Sequence, residues 1–232
     1  MLGLVVAVGL SATAGETPPN SLSPEEKTGG WRLLFDGQSL QGWRPFGKPS
    51  GAPIAKGWKV EEGALQKLAG QKGGDIVTDS TYENYEFAWE WRVAKGANNG
   101  VKYLVMESRP QAPGHEYQMI DDDAFSKLNA KNKTGAFYDV LPPIAAKPLP
   151  AGEWNVSRIV VQGNRVEHWL NGTKVLEYEL GSESLKSALA NSKFKKYSDF
   201  GTKIRGNILL TDHNDEAWFR NLKIRELTGP KP

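Results

Sequence analysis

The side chains best suited to acid–base chemistry lie in one short stretch, His115–Asp121. Successive side chains of a β-strand alternate between two faces, so Glu116 and Gln118 are predicted to share one face of this stretch. A carboxylate and an amide two residues apart on one face could hold sugar hydroxyls or abstract a proton. The exposed polar face of an outer strand would give the same pattern, so both interpretations stay open.

Two further side chains are candidates for the same chemistry. Lys102 lies in the apolar segment Val101–Met106 and must either face solvent or pair with a carboxylate. His213 belongs to the polar run Asp212–Asp215 at the end of a predicted strand, where binding loops gather. The run Asp121–Asp123 could supply oxygen ligands to a hard cation, but a solvated acidic turn is the simpler interpretation.

Composition and missing motifs exclude several classes of function. The 232 residues contain no cysteine, which excludes disulfides, thiolate catalysis and cysteine-based metal sites. A formal net charge of +2 gives no electrostatic footprint for nucleic acid. The chain has no glycine-rich phosphate loop, no G-x-S-x-G, no H-E-x-x-H and no E-x-D-x-x-E strand of the jelly-roll glucanases. His115, His168 and His213 have no metal-ligand spacing along the chain, so a histidine metal site would depend on tertiary geometry.

The elements that would position these side chains are mostly strands. Tyr85–Val93 alternates strictly between core-type and polar or small residues, as a half-buried strand does. Further strands are predicted at Trp31–Phe35, Trp58–Glu61, Ala64–Lys67, Asp75–Thr78, Val101–Met106, Glu116–Ile120, Trp154–Val161, Arg165–Leu170, Thr173–Glu179, Ile204–Thr211 and Ala217–Arg225.

Turns and one helix complete the predicted fold. Glu62-Gly63, Asn99-Gly100, Gly163-Asn164 and Asn171-Gly172 are predicted turns, and the last is the strongest hairpin signal. Ser182–Lys195 is predicted to be helical. These patterns predict an all-β jelly-roll sandwich of two antiparallel sheets with one short helix.

The N-terminus has the order of an export signal. An apolar run, Leu2–Leu10, precedes an A-x-A cleavage pattern at Ala12 and Ala14, although no basic residue precedes the run. We expect a signal peptide at 1–14, a flexible lead-in at 15–30 and one domain at 31–228, in a protein that is periplasmic or secreted. An apolar terminal tail is the alternative.

Eight blocks stand in order along the chain: Trp31–Gly37 with Leu40–Trp43, Asn98–Tyr103, His115–Gln118 with Asp121-Asp122, Thr134–Asp139, Gly152–Asn155, Glu167–Gly172, Ser192–Lys195 and Trp218–Ile224. Together they resemble the 3-keto-disaccharide hydrolase family. The resemblance implies a concanavalin A-like pair of β-sheets and a bacterial enzyme acting on sugars. In this family glutamine and glycine are usual where this chain has Thr211 and Asn214.

The resemblance also implies a chemistry and a set of residues. A keto group at C3 acidifies the C2 proton, so the glycosidic oxygen on C1 can leave by elimination before water adds. We expect Glu116 to be the base, Lys102 or a bound divalent cation to stabilise the enolate, and His213 or Tyr138 to assist departure. The expected sugar contacts are Gln118, Asp121, Asp122, His168, Glu90 and Arg220.

Two other functions remain open on the sequence alone. A non-catalytic carbohydrate-binding module of the same fold would bind unoxidised glycan, and an ordinary glycoside hydrolase would cleave it. The expected partner in each case is a small carbohydrate, with no nucleic acid and, after signal cleavage, no membrane. A 3-keto substrate would place the enzyme downstream of a glycoside 3-oxidase.

Overall fold

The computed structural model describes residues 17–109, 111, 113–125 and 127–229, so the predicted signal peptide lies outside the described residues. The strands are β1 (Arg32–Leu33), β2 (Trp43–Pro45), β3 (Trp58–Glu61), β4 (Ala64–Lys67), β5 (Ile76–Thr78), β6 (Tyr85–Val93), β7 (Asn98–Val105), β8 (His115–Ile120), β9 (Asn155–Gln162), β10 (Arg165–Leu170), β11 (Thr173–Glu179), β12 (Asn207–Leu210) and β13 (Ala217–Glu226). The α-helices are α1 (Pro24–Thr28) and α2 (Glu183–Ala190). No helix among the described residues is long and apolar enough to cross a bilayer.

Two antiparallel sheets form the sandwich. The larger has the order β11-β10-β9-β6-β13-β4-β3, with β1 paired to β13, and the smaller has the order β2-β5-β12-β7-β8. The predicted all-β jelly-roll fold is therefore confirmed. Since β7 and β8 are neighbours, Lys102 lies directly opposite Glu116.

The core lies between the sheets and follows the predicted alternation. In β6 the alternate residues Tyr85, Phe87, Trp89, Trp91 and Val93 are all buried. The Trp89 ring meets the Tyr117 ring of β8 edge to face, with centroids 5.0 Å apart. This contact joins the two sheets directly behind the strand that carries Glu116.

The turn predictions have two different outcomes. Asn171 and Gly172 connect β10 to β11 with positive φ angles of 47° and 79°, which confirms the hairpin. Asn99 and Gly100 were predicted to turn, but both lie inside β7. A turn therefore does not explain why position 100 is a glycine.

The helix predictions need correction. α2 begins after Ser182, whose hydroxyl accepts the Leu185 N–H, but it ends at Ala190 rather than Lys195. Asn191 and Ser192 donate side-chain hydrogen bonds to carbonyls of the last helical turn and so end the helix.

The segment 15–30, predicted to be a flexible lead-in, carries a short helix and contacts the larger sheet where the structure describes it. Residues 24–28 form α1 with a capping box made by Ser23 and Glu26. Asn20 accepts the Asn221 N–H and donates to the Gly63 carbonyl. These contacts attach the segment to the larger sheet.

A chain of buried hydrogen bonds crosses the core behind β8. His168 Nδ1 faces the Gly135 carbonyl at 2.8 Å and must donate, so its Nε2 accepts from Tyr103 Oη at 2.6 Å. Tyr103 in turn accepts from Tyr178, which accepts from His115 Nδ1. Burial lowers the pKa of His115 to about 3 and that of His168 to about 4. Both imidazoles are consequently neutral.

We predict that the protein loses stability as the pH falls from about 6.5 towards 4.5, before most carboxylates titrate. The unfolded chain protonates both histidines near pH 6.5, whereas the folded chain does not, so each contributes a loss of about 1.4 kcal/mol per pH unit. Urea unfolding at several pH values across this range measures the free energy of unfolding. His168→Gln should make that free energy depend less steeply on pH. A free energy of unfolding that is flat with pH would contradict the prediction.

Candidate functional site

The alternation along β8 places Glu116 on the outer face of the smaller sheet. Its neighbours His115 and Tyr117 point inwards, where they bond Tyr178 and Ser157 of the larger sheet. Glu116 is only 6% exposed although its side chain points outwards. A carboxylate held this far from water needs charged or hydrogen-bonding partners.

Gly100 makes room for that carboxylate. A Cβ atom at Gly100 would lie 2.5 Å from Glu116 Oε1, closer than any stable contact allows. The carboxylate therefore lies across the backbone of β7, and glycine is required at this position because of the neighbouring strand.

Two nitrogen-bearing side chains approach Glu116. His213 Nε2 is 3.4 Å from Oε1, and Lys102 Nζ is 4.0 Å from Oε2. Burial raises the pKa of Glu116, but the His213 hydrogen bond and the charges of Lys102, His213 and Lys193 outweigh it and leave the pKa below its usual value. Glu116 is therefore ionised at neutral pH and can accept a proton.

The loop that carries His213 is fixed by a buried ion pair. Asp212 Oδ1 lies 2.8 Å from Nζ of Lys67, which is 0% exposed and also donates to the Leu68 and Gln71 carbonyls at 2.7 Å. Burial raises the pKa of Asp212, but Lys67 and several backbone N–H donors bring it below its usual value. The position of His213 follows from this anchor.

Asp75 links that loop to Lys102. Its Oδ1 accepts the Asp212 N–H at 2.8 Å, and its Oδ2 lies 3.8 Å from Lys102 Nζ. Thus Lys102 stands between the carboxylates of Asp75 and Glu116.

The structure also accounts for the two unusual residues of the loop. Asn214 has a φ of 65°, in the region that glycine adopts freely and asparagine tolerates best among other residues. Thr211 Oγ1 bonds the Gly100 carbonyl at 3.1 Å and Asn99 Oδ1 at 3.2 Å. The loop conformation is thus compatible with both residues.

Tyr138 and Lys193 border the site beyond β8. The Tyr138 N–H donates to the Glu116 carbonyl at 3.0 Å, and Lys193 Nζ lies 3.9 Å from the centre of the Tyr138 ring. Burial and the charge of Glu116 raise the pKa of Tyr138, which keeps the phenol protonated. Sequence reasoning assigned no role to Lys193; its only signal was the block Ser192–Lys195.

Gln118 shares the Glu116 face but is only 1% exposed. Its Nε2 donates to Asn98 Oδ1 at 3.0 Å, while its Oε1 has no hydrogen-bond partner among the described residues. Gln118 thus lies beside Glu116 with an acceptor unused.

Asp121 and Asp122 lie apart from Glu116. They line a cavity of about 250 Å³ with Trp91 and Lys133 at the end of β8. Asp121 accepts the Gly96 N–H and Asp122 the Thr134 N–H, at 2.8 and 3.0 Å. The cavity lining includes none of the four predicted catalytic residues.

Three predicted sugar contacts are not brought to the site. His168 is fully buried with both ring nitrogens bonded, so it orders the core instead of meeting a substrate. Glu90 and Arg220 pair at 2.7 Å on the outer face of the larger sheet. The whole core separates them from Glu116.

The predicted divalent cation stays a prediction. Among the described residues, no three histidine or carboxylate side chains are arranged to hold a metal ion. Near Glu116, the Lys102 ammonium lies between the carboxylates of Glu116 and Asp75.

We predict that Gly100→Ala displaces the Glu116 carboxylate from His213, because the added methyl group would overlap Oε1. Relief of this overlap should cost about 1–3 kcal/mol of stability. A crystal structure and a melting curve of the variant check this, with Gly229→Ala as the control, where a methyl group meets only Asn84 at 3.7 Å. An unmoved carboxylate would contradict the prediction.

Known proteins resemble this chain over most of its length. A protein of Bacteroides thetaiotaomicron named 3-keto-disaccharide hydrolase is 30% identical over 257 residues, covering 96% of this chain and 87% of the relative. A crystal structure of a candidate glycosyl hydrolase from Parabacteroides distasonis is 35% identical, with a TM-score of 0.82, covering 91% of this chain and all of that one. A second from the same organism is 25% identical, with a TM-score of 0.65, covering 85% and 99% of the two chains.

Residues 30–225 match the family described as the 3-keto-alpha-glucoside-1,2-lyase-like domain. That range contains both sheets except the last residue of β13, and it contains every residue placed around Glu116. The chain therefore belongs to the 3-keto-alpha-glucoside-1,2-lyase-like family.

Proposed function

We propose that this protein is a carbohydrate-active enzyme that cleaves the glycosidic bond of 3-keto-glycosides, with Glu116 as the base for the C2 proton. The observation that carries the proposal is a nearly buried, ionised carboxylate with His213 and Lys102 within 4.0 Å. The names of the family and of the Bacteroides relative support the same substrate class.

The reaction follows from the acidity of the keto sugar. The C2 proton passes to Glu116. The electron pair of the broken C2–H bond forms a C2–C3 double bond, and the carbonyl pair moves to the C3 oxygen, which gives an enolate. The enolate then forms the C1–C2 double bond and expels the glycosidic oxygen, which takes a proton. Addition of water across that double bond yields the free 3-keto sugar.

The surrounding residues suit the remaining steps. The Lys102 ammonium can stabilise negative charge on the C3 oxygen, because it lies 4.0 Å from the group that removes the neighbouring proton. A proton can reach the leaving oxygen from the protonated Tyr138 phenol or from His213. His213 is the more exposed of the two. The free acceptor of Gln118 would require a small local movement to reach a hydroxyl.

A binding module is not favoured. Modules that only bind sugars need stacking surfaces and neutral hydrogen bonds, not a buried carboxylate flanked by cations.

The source of the substrate and the location of the enzyme belong to the same proposal. We propose that a glycoside 3-oxidase supplies the substrate, since the keto group must exist before C2 becomes acidic, and that the enzyme acts in the periplasm or outside the cell.

We predict that the wild type cleaves methyl 3-keto-α-glucoside and leaves the unoxidised parent intact. Glu116→Gln should reduce turnover about 10²–10⁴-fold, because the amide cannot accept the proton. Chromatography of the released sugar measures it, and Glu183→Gln, at an exposed position of α2, is the matched control. Full activity of Glu116→Gln would exclude the assigned base.

Cleavage of both sugars would instead indicate ordinary acid–base hydrolysis with a second carboxylate. Binding without cleavage of either would indicate a carbohydrate-binding module.

A further inference from the structure

Lys193 reaches the Glu116 site from the side opposite Lys102. β7, which carries Lys102, pairs with one edge of β8, whereas the segment carrying Tyr138 bonds the other edge through the Glu116 carbonyl. Lys193 places its ammonium 3.9 Å from the centre of the Tyr138 ring. The two ammonium groups therefore approach Glu116 from elements on opposite edges of β8.

The backbone of Lys193 fixes this approach independently of its side chain. Its N–H donates to Oδ2 of Asp139 at 2.7 Å, and Asp139 directly follows Tyr138 in the chain. Within the part of the chain that the structure describes, no carboxylate lies within ion-pair distance of its ammonium, which rests on an aromatic face instead. The ammonium is thus positioned by the fold and left free for another anion.

Lys193 is also electrostatically part of the site. Its charge helps to lower the pKa of Glu116. Desolvation and, to a smaller extent, the charge of Lys102 lower the pKa of Lys193, although Glu116 and Asp139 oppose the shift. Two ammonium groups and one carboxylate therefore interact with one another.

Proton transfer moves the negative charge across this arrangement. Before the step the charge is on Glu116; afterwards Glu116 is neutral and the charge is on the C3 oxygen. That oxygen belongs to the carbon next to C2, so it must lie within a few ångströms of the carboxylate. Cations that already interact with Glu116 will stabilise the enolate when the charge is transferred.

We propose that Lys193 is a further catalytic residue, whose ammonium acts with that of Lys102 to stabilise the enolate oxygen. This inference rests on the proposed function. It assigns Lys193 to the carbonyl of the sugar and not to the departing oxygen, and these two roles are distinguishable.

The test compares Lys193→Met, Lys193→Arg and the control Lys195→Met, because Lys195 is exposed like Lys193 and lies two residues away. The substrates are methyl 3-keto-α-glucoside, whose leaving group needs a proton, and 4-nitrophenyl 3-keto-α-glucoside, whose leaving group does not. We expect Lys193→Met to lower kcat about tenfold to a hundredfold on both, with little change in KM. Lys195→Met should match the wild type.

The arginine variant separates catalysis from a structural role. Lys193→Arg should restore most of kcat and keep activity to higher pH than the wild type, because arginine retains its proton. Melting curves establish that each variant is folded, and Lys193→Met keeps the backbone bond to Asp139.

Four outcomes would overturn the inference. A Lys193→Met variant within twofold of the wild type would show that its ammonium is not used. A defect confined to the methyl glycoside would assign Lys193 to the leaving group. An inactive wild type, or a fully active Glu116→Gln, would overturn the proposed function and this inference with it.

Discussion

The buried ion pair between Lys67 and Asp212 is the interaction on which the site depends. An ammonium removed from water is strongly destabilising unless every donor is satisfied, and here one carboxylate and two carbonyls satisfy it. The loop after β12 therefore has one favourable position. His213 follows Asp212 directly, and Asp75 bonds the same loop and approaches Lys102. One constraint thus determines how Lys102 and His213 meet Glu116.

The interior stabilises the same strand from behind. β8 is joined to the larger sheet by two sets of buried hydrogen bonds, one through His115 and Tyr178 and one through Tyr117 and Ser157. Because these groups lose their bonds if the strand shifts, the register that puts Glu116 beside Gly100 is strongly preferred. The polar core and the charged outer face are therefore two sides of one arrangement.

Local patterns predicted what depends on local geometry. The alternation of β6, the hairpin at Asn171-Gly172 and the shared face of Glu116 and Gln118 follow from the period of a strand. Which strands are neighbours depends on contacts distant in sequence, so the period could not show that Glu90 and Arg220 lie on the opposite face. For the same reason Asn99-Gly100 resembled a turn, although the glycine accommodates a carboxylate from β8.

The central claim is that Glu116 removes a proton from C2, and isotopes at that carbon test it most directly. The measurement is cleavage of a 3-keto-α-glucoside carrying deuterium at C2, together with cleavage of the unlabelled sugar in D₂O. The account predicts slower cleavage of the labelled sugar, or solvent deuterium at C2 of the product beyond that gained by free 3-keto-glucose. The absence of both effects would show that the C2–H bond stays intact and would contradict the account.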